Sequence, residues 1–243
     1  MNYAPITFHV RRSDVGPGKN VGSGRAFTRQ ATHFEDLLSK EEKLHILERD
    51  DHTCQCCGFR SEKFQKILFK NFDPEDHSPE NLMTVCIHCH QCFHLDQVAG
   101  MKSGVLIWLP ELSQATLHHL ARSIFVARIS QGEMAEQAKS LLNTLMHRRE
   151  QAKERLGTDD PMVLSTVMRD YIEPGHYKQR MKKLDGIRLM PLDRRLVQEG
   201  ELSFNQFPQI LAYWRSKDGP YGDALPKTWL EHYKNIFVES QAA

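Results

Sequence analysis

The chain has 243 residues, 40% of them hydrophobic and 26% charged, with no low-complexity stretch. This is the composition of an ordinary globular protein, long enough for one large domain or two small ones. Its 32 Lys and Arg and 31 Asp and Glu leave a formal net charge of +1, which argues against a protein that binds nucleic acid through a large basic surface.

The chain contains no window of 18 uninterrupted apolar residues, so a transmembrane helix is not expected. It begins MNYAP, without a basic region followed by an apolar run, so a signal peptide is not expected either. We therefore expect a cytosolic protein.

Near the start of the chain, residues 6–10 alternate apolar and polar side chains, which predicts a strand. The glycine-rich residues 13–30 predict a loop. Ser39 and Glu42 have the spacing of a capping box, in which the Ser39 side chain accepts from the Glu42 amide and Glu42 reaches back. A short helix through Ile46 should follow.

All six cysteines lie between residues 54 and 92, which favours metal binding over a disulfide framework spread along the chain. Four of them form two Cys-x-x-Cys knuckles, Cys54 with Cys57 and Cys86 with Cys89. Each knuckle aims two sulfurs at one point, and four thiolates are a common ligand set of structural zinc. We predict one structural Zn²⁺ bound by these four cysteines.

Other side chains compete for this site. Gly58 relieves the tight turn after Cys57 and so favours Cys57 over Cys56 as a ligand. Cys92 also has knuckle spacing with Cys89, and His90 could serve as a secondary group that supports a ligand. Replacement of a predicted ligand by Cys56 or Cys92 stays open from the sequence.

Between the knuckles, Phe64, Ile67 and Phe69 predict an extended or hairpin segment, followed by a turn-rich loop over residues 73–79. The second knuckle should open a helix, as it does in zinc-stapled ββα units. Residues 105–108 form an apolar run that predicts a short strand.

The knuckles and the Asn-Leu pair between them resemble the zinc-stapled core of HNH nucleases. In those enzymes a first-strand histidine deprotonates water, an asparagine fixes a loop, and a helix histidine helps to bind a catalytic metal. Asn81 fits the asparagine position, and His90, or His94 one turn later, fits the helix histidine. The strand around residues 67–71 has neither histidine nor carboxylate, and His77 lies in the loop. We therefore predict that the general base is missing and that the chain is not an enzyme.

From residue 110 the apolar residues recur with a helical period. Ser113 predicts the N-cap of one helix. Residues 130–133 read as a second capping box, opening a helix that stops near Gly157. A third helix should begin at Asp160, with proline at its first position, and end near residues 174–175.

Two further helices are predicted over residues 207–214 and 227–237, and all strands are expected in the first half of the chain. The predicted fold is α+β, with a small zinc-stapled HNH-like ββα module followed by a mainly helical region. Its parts are an N-terminal strand with a flexible Gly-rich segment over 1–38, the zinc module over 39–109, and a helical region with aromatic-rich C-terminal helices over 110–243.

Several longer phrases resemble the IcmJ (DotN) family of type IVB secretion systems. The phrases span about residues 45–215: CQCCGFRSEKFQ at 54–65, NL at 81–82, VC at 85–86, CHQCFHL at 89–95, SGVLIWLPEL at 103–112, LDRR at 192–195 and FPQILAYW at 207–214.

The resemblance implies a cytosolic subunit that associates with the inner membrane only through the secretion complex. It implies a non-catalytic adaptor that binds the C-terminal region of a VirD4-like coupling ATPase, together with other coupling-complex subunits, and helps to recruit protein substrates for export. Neither membrane insertion nor a nucleic-acid partner is expected. The alternative is a metal-dependent HNH endonuclease or DNA-binding module. Aromatic residues of the second half, such as Tyr213 and Trp214, are either core or part of a groove for a partner.

Overall fold

A computed structural model describes residues 3–10, 12, 34–222, 224, 226, 228 and 229. Within these residues, helices alternate with small antiparallel sheets, so the α+β prediction is confirmed. The first half contains α1 (Lys40–Arg49), β1 (Gln65–Phe69), β2 (Leu82–Cys86), α2 (Ile87–Phe93), α3 (Leu95–Met101) and β3 (Gly104–Trp108). The second half contains α4 (Gln114–Arg128), α5 (Glu133–Leu156), α6 (Pro161–Thr166), a π-helical turn (Val167–Tyr171), α7 (Pro174–Lys178), α8 (Arg180–Lys183), β4 (Ile187–Pro191), β5 (Leu196–Glu199), β6 (Leu202–Asn205) and α9 (Phe207–Trp214).

Helix α1 begins as predicted, with Ser39 as N-cap and a complete capping box to Glu42. Its last turn is fastened to the hairpin that follows. The Arg49 guanidinium donates to the carbonyl of Leu82 at 2.9 Å, and the Asp50 carboxylate accepts from the Thr84 amide at 2.8 Å. These bonds hold α1 against β2 just before the first knuckle.

Strands β1 and β2 form an antiparallel hairpin in which Gln65 faces Cys86 and Phe69 faces Leu82. The chain passes from β2 directly into α2, as predicted for the second knuckle. Cys86 is the N-cap, and its sulfur accepts from the amide of Cys89 at 3.4 Å. A hairpin followed by a helix therefore carries the second knuckle.

Strand β3 pairs with β4, with Gly104 opposite Pro191 and Trp108 opposite Ile187. The prediction that all strands lie in the first half is therefore wrong, since β4, β5 and β6 lie in the second. Gly104 permits a close approach here, because a Cβ at this position would lie 2.9 Å from a methyl group of Leu189. The predicted boundaries at 38/39 and 109/110 stay a prediction.

The predicted N-terminal strand is also wrong, since residues 3–10 form no ladder. The alternation instead marks burial: Phe8 and Val10 point into the core. His9 donates its amide to the Cys92 carbonyl at 2.9 Å and accepts from the Leu95 amide at 3.1 Å. These two hydrogen bonds join residues 3–10 to the junction between α2 and α3. Because that junction is not a strand, the N-terminal segment is extended but belongs to no sheet.

Two helix boundaries differ from the prediction. Helix α5 has Gly132 as N-cap with no side-chain cap, and Ser130 donates instead to the Val126 carbonyl at the end of α4. The helix capped by Asp160 starts as predicted, but it changes to a π-helical turn after Thr166 and ends at Tyr171. The N-cap at Ser113 and the helix over Phe207–Trp214 are confirmed. The predicted loop over 13–30 and helix over 227–237 lie outside the described residues, apart from 228 and 229.

The largest buried cluster surrounds the knuckles and joins them to α4 and α9. Leu117, Ala121 and Phe125 of α4 belong to the same cluster as the cysteines, and Trp214 of α9 packs edge-on against Phe59 at 5.8 Å between ring centroids. Trp214 is thus a core residue, not part of an open groove. None of the helices in the described part is long and apolar enough to cross a membrane.

Candidate metal centre

The four knuckle cysteines meet in one buried cluster. The sulfurs of Cys54, Cys57, Cys86 and Cys89 all lie within 4.8 Å of one another, and none of these residues is in a disulfide. The Cys57 and Cys86 sulfurs are 3.7 Å apart, close to the separation of about 3.8 Å that a tetrahedron with Zn–S bonds of about 2.3 Å requires. The cluster is therefore suited to binding one metal ion such as zinc.

The first knuckle is shaped by its backbone. The Gly58 amide donates to the Cys54 carbonyl at 2.8 Å, and the Cys54 amide to the Phe59 carbonyl at 3.0 Å. Gly58 has φ of 74°, a left-handed conformation that favours glycine. The Gln65 side chain donates to the Phe59 carbonyl at 2.9 Å and so ties the knuckle to β1.

The competing side chains lie outside this group of four. Cys92 is buried, with its sulfur 3.8 Å from the His88 carbonyl. Cys56 is buried next to the cluster but does not belong to the group with mutual distances below 4.8 Å. His90 is buried on α2, where its ring stacks on His94 at 4.2 Å between centroids. No other cluster of three or more metal-binding side chains occurs in the described part of the chain.

The thiols of the cluster have divergent proton affinities. The pKa of Cys54 is lowered to about 5, because the Cys56 thiol and then the Cys57 thiol donate hydrogen bonds to it. The pKa of Cys57 is also lowered to about 5: its hydrogen bond with Cys54 raises it, but those from Cys86 and Cys89 outweigh this. The pKa of Cys89 is raised, since Cys89 donates to its neighbours, first to Cys54. A thiol with a lowered pKa is a thiolate at neutral pH, and the thiolate is the form of cysteine that binds a metal ion.

Helix α4 supplies a buried cation that the sequence reasoning missed. The guanidinium of Arg122 is fully buried, with Nη1 at 3.5 Å from the Cys86 sulfur and Nη2 at 3.6 Å from the Cys57 sulfur. Burial alone would lower the pKa of Arg122, but the neighbouring Cys86 and Cys57 thiolates raise it above its ordinary value. Arg122 therefore stays charged beside the cluster.

Helix α4 also places His118 next to Cys89, the second cysteine of the second knuckle. His118 Nδ1 lies 3.3 Å from the Cys89 sulfur, and Nε2 lies 2.8 Å from the amide nitrogen of Gln114. The Gln114 amide group is oriented by β4, because its nitrogen donates to the Leu189 carbonyl and its oxygen accepts from the Leu189 amide. Its second N–H then points at Nε2 of His118, which must accept, so Nδ1 carries the proton and donates to Cys89. Burial lowers the pKa of His118 and keeps the ring neutral.

A sequence signal for these groups exists. Gln114, His118 and Arg122 recur every four residues and so lie on one face of α4, alongside the apolar Leu117 and Ala121. A stripe of polar residues within a buried helix face indicates polar partners inside the protein. The sequence does not say that those partners are the knuckle cysteines.

The residues predicted to match the HNH nuclease core also have defined places. Asn81 accepts from the Asn71 amide at 2.9 Å and donates to the Asp76 carbonyl at 2.8 Å, closing the loop between β1 and β2. Strand β1 has the sequence QKILF, with no histidine or carboxylate. Both ring nitrogens of His77 are 3.1 Å from acceptors, Nδ1 from Glu42 and Nε2 from the Pro74 carbonyl.

The chain is similar to a known secretion protein. No protein-family model matches the chain. The chain is 34% identical, over 163 residues, to the type 4 apparatus protein DotN of Legionella pneumophila strain Philadelphia 1. The matched region covers 65% of this chain and 74% of that protein. Identity at this level along most of the relative agrees with the phrases found in the sequence, and the chain belongs to the IcmJ (DotN) family.

Proposed function

We propose that the protein is a non-catalytic adaptor subunit of a type IVB secretion coupling complex. The observation that carries this proposal is the 34% identity along 74% of a protein named as a type 4 apparatus component. In the proposed role, the protein binds the C-terminal region of a VirD4-like coupling ATPase and helps to recruit substrates for export. It works on the cytoplasmic side and reaches the inner membrane through the complex.

We further propose that residues 39–109 are an HNH-like module that has the fold of the nuclease core but lacks its catalytic general base. The order hairpin, knuckle, helix and the loop closed by Asn81 support the likeness. A general base needs a free nitrogen or carboxylate beside the reacting water. Strand β1 offers neither, and the ring nitrogens of His77 already face Glu42 and Pro74.

In this proposal one Zn²⁺ is bound by Cys54, Cys57, Cys86 and Cys89 and is structural. A zinc with four protein ligands has no open position for a substrate or a water. The cluster instead links the first knuckle to the β2–α2 junction and adds to the backbone hydrogen bond from the Gln55 amide to the Thr84 carbonyl of β2. The bound ion would thereby fix the surfaces around it.

A surface for a partner is available on α6 and the π-helical turn. Val163, Val167 and Tyr171 are exposed at intervals of four residues, and Tyr171 is 78% exposed. Contiguous exposed apolar side chains at helical spacing are typical of a protein-binding face. We assign this face to the segment of the coupling ATPase.

Next to this face lies a groove of about 390 Å³, to whose lining Tyr171 also contributes. The buried apolar Leu164, Met168 and Leu184 line it together with two basic side chains, Arg180 and Lys183, and one acidic side chain, Glu173. Lys178 and Lys182 are exposed nearby on α7 and α8. A segment that fits this surface carries apolar anchors beside acidic residues, since these complement the groove and its basic edge.

The proposal is tested by titration calorimetry of the zinc-loaded protein with a peptide from the C-terminal region of the cognate coupling ATPase. Binding is expected, and Tyr171→Asp should weaken it at least about tenfold, because a central aromatic anchor is typically worth more than 1.4 kcal/mol. Leu202→Asp is the matched control, since Leu202 is 74% exposed on the β5–β6 hairpin. Absence of binding to the folded wild type would overturn the adaptor role.

The competing nuclease function is tested on the same preparation. Plasmid DNA is incubated with Mg²⁺, Mn²⁺ or Ni²⁺, and no cleavage above background is expected. Cleavage that follows the protein through purification and disappears in His90→Ala would contradict the non-catalytic role. Binding that persists in Tyr171→Asp would leave the adaptor role standing and move the interface elsewhere.

A further inference from the structure

Arg122 occupies an unusual position for an arginine. It is 0% exposed, and its neighbours among the described residues are thiols, a histidine, the Phe59 ring and the Tyr221 hydroxyl rather than carboxylates. Its Nε atom is buried without a hydrogen-bond partner there. A buried charge costs several kcal/mol unless an opposite charge compensates for it, so the compensating charge must come from the sulfurs.

The guanidinium reaches both knuckles at once. Nη1 contacts Cys86 at 3.5 Å and Nη2 contacts Cys57 at 3.6 Å, and these two sulfurs are 3.7 Å apart. The planar fork of arginine matches two acceptors at this separation, whereas a lysine ammonium can face only one of them squarely. On its other side, the guanidinium lies 4.1 Å from the centroid of the Phe59 ring.

His119 holds the fork in place. Its Nδ1 lies 3.2 Å from Nη2 of Arg122, and its Nε2 lies 2.7 Å from the Cys57 carbonyl. Since the guanidinium only donates and the carbonyl only accepts, Nδ1 must accept and Nε2 must donate. His119 therefore orients Arg122 relative to the first knuckle.

A divalent ion with four thiolates carries two more negative than positive charges. Such an excess is costly in a buried site, and replacement of one thiolate by histidine would reduce it. We propose that Arg122 is the electrostatic counterpart of the metal centre: its charge offsets part of this excess and makes the all-cysteine ligand set favourable. The inference rests on a metal being bound at the four cysteines, which is part of the proposed function.

The proposal is tested by a double-mutant cycle with zinc affinity as the readout. Affinities of wild type, Arg122→Met, Cys57→His and the double variant are measured by competition with a chromophoric chelator. Arg122→Met should bind zinc 10- to 100-fold more weakly, the range found for groups that support metal ligands. Cys57→His should cost several-fold less in the Arg122→Met background than in the wild type, because it removes charge that Arg122 no longer offsets.

Two results would overturn the proposal: a zinc affinity of Arg122→Met within twofold of wild type, or losses that simply multiply in the double variant. A wild type that binds no zinc would instead overturn the metal site itself. If Arg122→Met does not fold, Arg122→Lys and Arg122→Gln are compared through the charge-transfer absorption of bound Co²⁺ and its rate of loss to chelator. Lysine, which keeps the charge, must retain the metal longer than glutamine, and the reverse order would refute the role of charge.

Discussion

Gln114 on α4 and Leu189 on β4 exchange two hydrogen bonds, of 2.8 and 2.9 Å, across 75 residues of sequence. This pair fixes which atom of the Gln114 amide faces His118, and thereby which nitrogen of His118 carries the proton. The Cys89 sulfur consequently receives an N–H from a neutral ring. A strand in the second half of the chain thus controls a contact to the metal centre in the first.

Replacing Gln114 should weaken zinc binding without removing a ligand. In Gln114→Ala, His118 loses the donor that selects its tautomer, and zinc affinity should fall about 10- to 100-fold. The tautomer is read from the ¹⁵N shifts of the His118 ring, and the affinity from chelator competition. Gln137→Ala, on the exposed face of α5, is the matched control. Unchanged affinity together with a changed tautomer would separate the two effects and disprove the coupling.

The ligand set is tested by two neighbouring cysteines on one helix. Cys89→Ser should lower zinc affinity on the order of 100-fold or more, because one of four bonds that together provide about 10–16 kcal/mol is lost. Cys92→Ser should retain one zinc per chain, since its sulfur lies outside the cluster. Mass spectrometry of the intact protein measures the zinc content of both variants. Loss of zinc in Cys92→Ser but not in Cys89→Ser would mean that Cys92, and not Cys89, is the ligand.

Zinc removal should loosen one part of the chain before the rest. Chelation removes the link between the knuckles, so amide hydrogen exchange should increase first over residues 50–95. Helix α5, which supplies no ligand, should keep its protection to higher chelator concentration. The measurement is exchange followed by mass spectrometry. Uniform protection in the chelated protein would show that the cysteines pack without needing a metal.

The difference between what the sequence predicts and what it misses has a physical basis. The knuckles, the capping box at Ser39 and the helix opened at Cys86 are predictable, because each depends on residues within a few positions of one another. Strand β4 is not, since its four apolar residues and Arg188 become a strand only through pairing with β3. The role of Arg122 is unpredictable for the same reason. The sequence shows that Arg122 lies on the buried face of α4, but tertiary packing determines that its partners are Cys57 and Cys86.

The N-terminal segment should dock in a pH-dependent way through His9. This ring stacks on Phe72 at 3.5 Å between centroids, and burial, followed by the charge of Arg180, lowers its pKa from 6.5 to about 4. Because the folded pKa lies below the unfolded one, the stabilisation is complete above pH 6.5 and is lost as the pH falls towards 4. The loss should be on the order of 2–3 kcal/mol.

The check compares the free energy of unfolding of wild type and His9→Phe between pH 7.5 and 4. Zinc release at low pH affects both proteins, so only their difference reports on His9. The wild type should lose stability relative to the variant over this interval. A constant difference would mean that the ring titrates with an unshifted pKa.

The loop between β1 and β2 depends on Asn81, which is buried and satisfies two backbone groups at once. Asn81→Ala should destabilise the protein by about 1–3 kcal/mol, because the Asn71 amide and the Asp76 carbonyl each lose a partner. Asn81→Asp keeps the acceptor but sets a buried carboxylate oxygen against the Asp76 carbonyl, so its cost should be at least as large. Chemical denaturation of the zinc-loaded proteins measures both, with zinc affinity as a second readout. If the loop is only a scaffold, the zinc affinity of both variants should stay near that of wild type, because Asn81 contacts neither a predicted zinc ligand nor α4. A large loss of zinc affinity in either variant would contradict this role.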